Sequence, residues 1–462
     1  MLSFHDPSGQ FGRRDFLRVG SLALGGMSLP KLLEAGAAGA GGVATGKSVI
    51  FLFMHGGPTQ IETFDPKMTA PVGIRSVTGE IATKIPGVTF GSTFKKLAAL
   101  NDRFSIVRSF TTGDSRHDIK PIVSKHTLDA NLGSLYSRVV GSNHPANGMP
   151  TNVSLFPRAV DPSTMPYIKS FGDFRSAGQV GSAYTPFAPG AGGDMQSNMK
   201  LSIPMNRLGD RRTLLSSLDR IRFGADSSNA LDGVDRIRQQ AFDVILGGVA
   251  DAFDLKKEDP ALVERYDTSK LVRPESIDKK WNNHKHYADN GKSLGKLLLL
   301  ARRLCESGCG FVTVTTNFVW DMHADANNAT IEEGMGYMGV PFDHAVSTFL
   351  EDVEARGLSD KILLVCCGEM GRTPRINSRG GRDHWGNLAP LMLAGGGLRT
   401  GQVIGQSTRD AGQPLTEPMR IPNLVSTIAH TLFDVGRVRI TGGVPTDIVR
   451  VLGDSKPIPG LL

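Results

Sequence analysis

The chain has 462 residues, more than one average domain and enough to bury a sizeable core. Hydrophobic residues make up 40% and charged residues 21%, the balance of a soluble globular protein. The formal charge of +7 comes from Lys and Arg scattered along the chain with no aromatic-interleaved basic motif, so nucleic acid is not an expected partner.

The first predicted element is an export signal over residues 1–43. Gly12-Arg13-Arg14-Asp15-Phe16-Leu17-Arg18 precedes a mildly apolar, Gly-rich run from Val19 to Leu29, and small residues fill Ala35 to Val43. A charged head, a short apolar stretch and a small-residue exit form such a signal, and the paired arginines resemble the twin-arginine type. The implied partner is the twin-arginine export machinery, and the implied location is the periplasm or cell envelope. The apolar run is too short for a membrane span of about 20 residues. No later segment has that length either. The mature chain is expected to begin between Ala38 and Thr45, leaving 44–462 as one domain.

Ser48 to Met54 is a continuous apolar run of strand length that stops at His55-Gly56-Gly57-Pro58. Continuous rather than alternating hydrophobicity fits a central parallel strand buried on both faces. Similar runs recur at Phe104–Val107, Val153–Phe156, Phe311–Thr315, Ile362–Cys367 and Leu391–Ala394. Helical patterns fall between them, at Val234–Leu255, Tyr287–Cys305, Phe342–Arg356 and Pro422–Phe433. Alternating strands and helices predict a doubly wound, mostly parallel α/β sheet. The irregular and then helical stretch from about 157 to 303 is expected to be an insertion or cap. Cys366 and Cys367 are neighbours in a strand and point to opposite faces. With Cys305 and Cys309 they are expected to be core thiols, and no CxxC-type metal site is present.

Ligands of open α/β sheets bind beyond the carboxyl ends of the strands. The first run delivers His55 there. The run ending at Thr315 delivers Asn317, Trp320, Asp321 and His323, and the run ending at Cys367 delivers Glu369 and Arg372. A glycine-rich loop then presents Arg382, Asp383 and His384. Mixed imidazole and carboxylate ligands suit a divalent Zn, Mn or Fe. Arg372, Arg375, Arg379 and Arg382 fall within eleven residues, and guanidinium groups beside a metal suit an anionic ester.

The segments Met54-His55-Gly56-Gly57-Pro58, Thr63-Phe64-Asp65-Pro66, Trp320-Asp321-Met322-His323, Gly368-Glu369-Met370-Gly371-Arg372-Thr373-Pro374 and Gly381-Arg382-Asp383-His384-Trp385 carry a family pattern. It resembles domain-of-unknown-function family 1501, which belongs with the alkaline-phosphatase-like and sulfatase-like superfamily. The resemblance runs from about Ser48 to the C-terminus and is weakest between Pro157 and Arg303. It implies an alkaline-phosphatase-like fold. It also implies one divalent metal on His55, Asp321, His323, Glu369 and His384, with Asp383 orienting His384 and with Arg372 and Arg382 gripping an anion. His55 stands where that superfamily normally has Asp, and Glu369-Met370 replace its Asp-His pair. No sulfatase-type Cys-x-Pro-x-Arg motif is present. Thr111, Thr112 or Ser115 are the candidate nucleophiles, and His117 is either catalytic or a further ligand. The expected function is an exported metal-dependent hydrolase of phosphate or sulfate esters, of small molecules or polysaccharides, with attack by metal-bound water left open. The alternative is a non-catalytic metal- or anion-binding envelope protein.

Overall fold

The computed structural model describes residues 42–190 and 249–462. The expected export signal and most of the expected helix Val234–Leu255 lie outside them. Among the described residues no helix is long and apolar enough to cross a membrane.

Seven strands form the main sheet: β1 (Ser48–Phe53), β2 (Ser105–Val107), β3 (Asn152–Leu155), β4 (Phe311–Thr315), β5 (Ile362–Cys367), β6 (Leu391–Gly395) and β7 (Val403–Ile404). Their spatial order is β7-β2-β6-β5-β1-β4-β3. Only β6 runs against its neighbours β5 and β2; every other pairing is parallel. The fold is therefore the expected mixed α/β arrangement with a mostly parallel sheet.

Four helices carry the layers on the two faces: α1 (Leu132–Val140), α2 (His284–Glu306), α3 (Ile331–Ala355) and α4 (Ile421–Leu432). Strand β1 shows why both faces must be covered. Its Val49, Phe51 and Phe53 join the core of α1 and α4, while Ile50 and Leu52 join the core of α2 and α3. Each such side chain stabilises the fold by roughly 1.5–3 kcal/mol relative to exposure. Thr330 and Glu333 make a reciprocal cap that starts α3, and the Asn131 side chain accepts from the Gly133 amide to start α1.

Helix α2 differs from its expected place in an insertion. Leu297, Leu298, Leu299 and Leu300 are fully buried in the core with β4 and α3, so this helix is a sheet-covering layer. All four cysteines are free and buried, with Cys366 and Cys367 in opposite cores. Burial pushes the Cys309 thiol up to about 12.

Register then sets the site. Phe53 at the end of β1 lies level with Thr315 of β4 and Cys367 of β5. The loops that follow these three strands consequently meet at one edge.

Candidate metal centre

The loops after β1 and β4 cross with almost no space between them. The amides of Val319 and Trp320 donate to the His55 carbonyl at 3.1 and 3.0 Å. A Cβ on Gly56 would stand 2.6 Å from the Asp321 nitrogen, and Gly56 has a φ of +116°, which strains any other residue. The Gly56 amide donates to both oxygens of Glu369, at 3.0 and 3.2 Å. One glycine thereby joins the ends of β1, β4 and β5.

The loop carrying His384 is laced onto the same edge. Arg382 donates its amide to the Met322 carbonyl at 3.0 Å, and Asn377 donates its side-chain amide to the His323 carbonyl at 3.0 Å. His384 pairs with Arg372 in a two-residue antiparallel ribbon. The loop bearing His117 is held by Lys120, whose ammonium pairs with Asp114 at 2.6 Å and Asp118 at 3.0 Å.

These constraints bring His117, Asp321, His323 and His384 together, with one donor atom of each within 4.8 Å of every other. The Nε2 atoms of His323, His384 and His117 lie 2.8, 3.4 and 3.5 Å from the single oxygen Oδ1 of Asp321. His117 Nε2 is buried and has no hydrogen-bond partner. Three imidazole nitrogens and a carboxylate oxygen converging in this way match the donor set of a borderline-soft divalent cation such as Zn, Mn or Fe.

Two of the three remaining ring nitrogens have carboxylate partners. His117 Nδ1 lies 2.9 Å from Glu369 Oε1, and His323 Nδ1 lies 3.3 Å from Asp383 Oδ1. A proton on each Nδ1 leaves the Nε2 lone pair directed at the centre, the arrangement usual for metal-binding histidines. Asp321 Oδ2 accepts from Asn328 at 3.1 Å, and Oδ1 accepts from Arg372 Nη2 at 2.6 Å.

The electrostatics follow from these partners. Burial would raise the Asp321 carboxyl, but the Arg372 charge and the three imidazoles hold it well below its usual range. Burial lowers His117, but the carboxylates of Asp321 and Glu369 outweigh this and raise it overall. His384 is lowered by burial, with the Arg372 charge acting the same way.

Several expected roles change. His55 is 2% exposed and stands outside the four-residue cluster, boxed by Phe53, Phe174 and Phe318, with Nε2 unpartnered. Burial lowers its pKa to about 4 and keeps it neutral. Glu369, expected as a ligand, reaches His117 and the Gly56 amide instead. Asp383, expected behind His384, lies behind His323. Arg382, expected to grip an anion, is fully buried. Its guanidinium pairs with Glu62 at 3.0 Å and donates to the carbonyls of Ile74 and Arg75. Arg372 is equally buried, bound to Asp321 and, through Nε, to the Gly57 carbonyl at 2.7 Å.

Two of the candidate nucleophiles are bonded to Gly386. Thr111 donates its hydroxyl to the Gly386 carbonyl at 2.9 Å, and the Ser115 hydroxyl accepts from the Gly386 amide at 2.9 Å. Thr112 lines a separate cavity. Beside the centre, Phe318 and Phe171 stack at 4.2 Å, and the His117 ring lies 4.4 Å from that of Phe318. This aromatic pair walls one side of the cluster. Its position was not signalled by spacing, because Phe171 belongs to an irregular stretch.

Fold and cluster together define an α/β protein with a candidate mononuclear metal centre at the carboxyl ends of its central strands. The chain belongs to DUF1501, a family described as protein of unknown function, whose model matches residues 46–459. No curated protein matches it. Among solved structures it is similar to the PsFucS1 sulfatase of Pseudoalteromonas sp., at 10% identity and a TM-score of 0.34, over 86% of this chain and 71% of that one. It is also similar to the phosphonate monoester hydrolase SpPMH of Silicibacter pomeroyi, at 11% identity and a TM-score of 0.31, over 83% and 73% of the two chains. The lipoteichoic acid synthase LtaP of Listeria monocytogenes gives 9% identity and a TM-score of 0.30, over 82% and 68%. Overlap this shallow carries no information about activity or substrate.

Proposed function

We propose that this protein is an exported, metal-dependent hydrolase of phosphate or sulfate esters that uses water as its nucleophile. The observation that carries the reading is the convergence of three imidazole Nε2 atoms on Asp321 Oδ1. His117, Asp321, His323 and His384 would hold the cation. A divalent cation there supplies Lewis acidity, which polarises an ester oxygen and lowers the pKa of water. The chain's own groups do the rest. Glu369 and Asp383 fix the tautomers of His117 and His323, and Arg372 keeps Asp321 ionised. The Phe171–Phe318 wall limits water on one side and offers an apolar surface to the organic part of an ester. Thr111 and Ser115 are each hydrogen-bonded to Gly386, and Thr112 lines another cavity, which favours water over a covalent intermediate.

Export rests on the Arg13-Arg14 segment, and its direct test is fractionation of cells producing the wild type and an Arg13→Lys, Arg14→Lys variant. The hydrolase reading is tested by incubating the Zn-, Mn- or Fe-loaded protein with p-nitrophenyl phosphate and p-nitrophenyl sulfate. Turnover that vanishes in His384→Ala supports it. Loaded protein that turns over neither ester favours the second reading, a non-catalytic metal- or anion-binding envelope protein. One observation favours that alternative. Both arginines expected to hold an anion are buried and bonded within the protein.

A further inference from the structure

Asp321 turns only one of its two oxygens towards the imidazoles. Oδ1 lies within 3.5 Å of the Nε2 atoms of His117, His323 and His384, whereas Oδ2 accepts from the Asn328 side-chain amide at 3.1 Å. Asn328 is 3% exposed, and its own Oδ1 accepts from Asn283 Nδ2 at 2.7 Å. Chemistry fixes the polarity of this chain. An ionised carboxylate only accepts, so the NH2 of Asn328 must face Asp321 and its oxygen is left for a donor on the other side. Asn283 supplies that donor.

The surroundings hold both asparagines in place. Asn283 is the N-cap residue of α2, where an asparagine ordinarily accepts from an amide of the first turn, yet it makes no side-chain cap bond. Its side chain is committed to Asn328 instead. The segment leading into α2 is laced to the turn that carries Asn328. The amides of Asn282 and Asn283 donate to the carbonyls of Ala326 and Asn327 at 3.1 and 3.0 Å, and Asn282 Nδ2 donates to Asn327 Oδ1 at 2.8 Å. Within the turn, Asp325 Oδ1 accepts from the amides of Asn327 and Asn328, both at 2.8 Å. One turn into α2, the Tyr287 hydroxyl accepts from the Ala329 amide at 3.0 Å.

We propose that Asn328 and Asn283 are positioning residues that hold the Asp321 carboxylate with Oδ1 towards the candidate cation and Oδ2 away from it. The proposal rests on the metal-centre reading of the cluster. Asn328 acts through Asp321, and Asn283 acts only through Asn328. Without the Asn328 amide, Oδ2 loses its donor and the carboxylate is free to turn about its Cβ–Cγ bond. Its two oxygens then compete for the cation and for Arg372, which now bonds Oδ1 at 2.6 Å. The start of a sheet-covering helix thereby sets the orientation of a ligand in the loop after β4.

Competition titration of Zn against a chromophoric chelator, with urea denaturation of the same whole-protein preparations, tests this. Asn328→Ala weakens Zn binding about 10–100-fold, as loss of a partner behind a metal ligand generally does. Asn283→Ala weakens it about fivefold, the equivalent of one neutral hydrogen bond, and adds nothing in an Asn328→Ala background. Asn283→Asp separates positioning from stability. Asp caps a helix as well as Asn and its charge suits a helix N-terminus, so metal-free stability is kept or raised. Its oxygens cannot donate to Asn328, so an oxygen–oxygen contact arises on one side of Asn328 whichever way that amide turns. Zn affinity therefore falls although a negative charge has been added. Asn282→Ala removes a comparable bond of the same ladder and binds Zn like wild type. Where Asn328→Ala fails to fold, Asn283→Asp still decides the matter. The proposal is overturned if wild type binds Zn and Asn283→Asp binds it equally well, or if Asn282→Ala weakens binding as much as Asn283→Ala. A wild type that binds no Zn overturns the metal-centre reading itself, and this proposal with it.

Discussion

His323 and His384 bring their Nε2 atoms to 2.6 Å of each other, with Asp321 Oδ1 2.8 Å from the first and 3.4 Å from the second. Two protonated imidazoles cannot sit this close without strong repulsion. A cation held by His323 and His384 would remove that repulsion, because each neutral imidazole lone pair would have an electrophile to face. The pair is contributed by two loops 61 positions apart in sequence, so a cation there would also tie those loops together.

The carboxylates behind the imidazoles tune this centre without touching it. Glu369→Gln and Asp383→Asn each leave a group of the same size that no longer stabilises the Nδ1 proton as an anion does. Each is expected to weaken Zn binding about 10–100-fold, in line with the effect of outer-shell partners elsewhere. Competition titration with a chromophoric chelator reads this directly. An unchanged affinity in both variants means the carboxylates are only loop anchors.

Gly56 is predicted to be intolerant of any side chain. A Cβ there would meet the Asp321 and Trp320 nitrogens at 2.6 and 2.8 Å. Gly56→Ala should cost about 2–5 kcal/mol from left-handed strain and overpacking combined. Because the clash falls on Asp321 itself, metal content should drop with stability. Urea denaturation and elemental analysis of the same preparation check the two together.

Arg382 is expected to act on stability rather than on substrate. It and Glu62 are both fully buried, so Arg382→Gln leaves a buried carboxylate held by Ser76, Val77 and Thr78 but without its arginine, and costs about 3–5 kcal/mol. Folded protein recovered at low temperature should show an unchanged KM. A raised KM with unchanged stability would return Arg382 to the anion site.

Acid should weaken the attachment of α2 to the segment that carries Glu258. Burial pushes the Glu258 carboxyl up, but hydrogen bonds from Arg302 and Arg303 outweigh this and hold it at about 2. Its folded pKa is below its unfolded one, so its contribution is complete above the ordinary value of 4.5 and is lost as pH falls towards 2. Glu258→Gln should flatten the fall in melting temperature across that window. A wild-type curve and a variant curve that run parallel would show that other carboxylates control acid stability.

The sheet was legible because its central strands are buried on both faces. Each then reads as an unbroken apolar run, and the runs ending at Thr315 and Cys367 match β4 and β5 to the residue. The edge where the site lies follows from those ends, which is why Asp321, His323 and His384 were in view. The fourth cluster member, His117, was in view only as a catalytic residue or a further ligand. His117 follows no apolar run; it sits in a polar loop whose path depends on Lys120 and on contacts with Gly386, remote in sequence. Glu369 ends a strand like a ligand, but the Gly56 amide turns it towards His117 instead. Asp383 lies behind His323 for a geometric reason. Adjacent residues in extended chain point to opposite sides, so Asp383 and His384 face different neighbours.

Elemental mass spectrometry of Zn-reconstituted wild type, His117→Ala and His55→Ala reads the composition of the candidate metal centre. One equivalent of metal is expected in wild type and in His55→Ala, and its loss in His117→Ala. Metal retained in His117→Ala and lost in His55→Ala would contradict it, returning the ligand role to the end of β1.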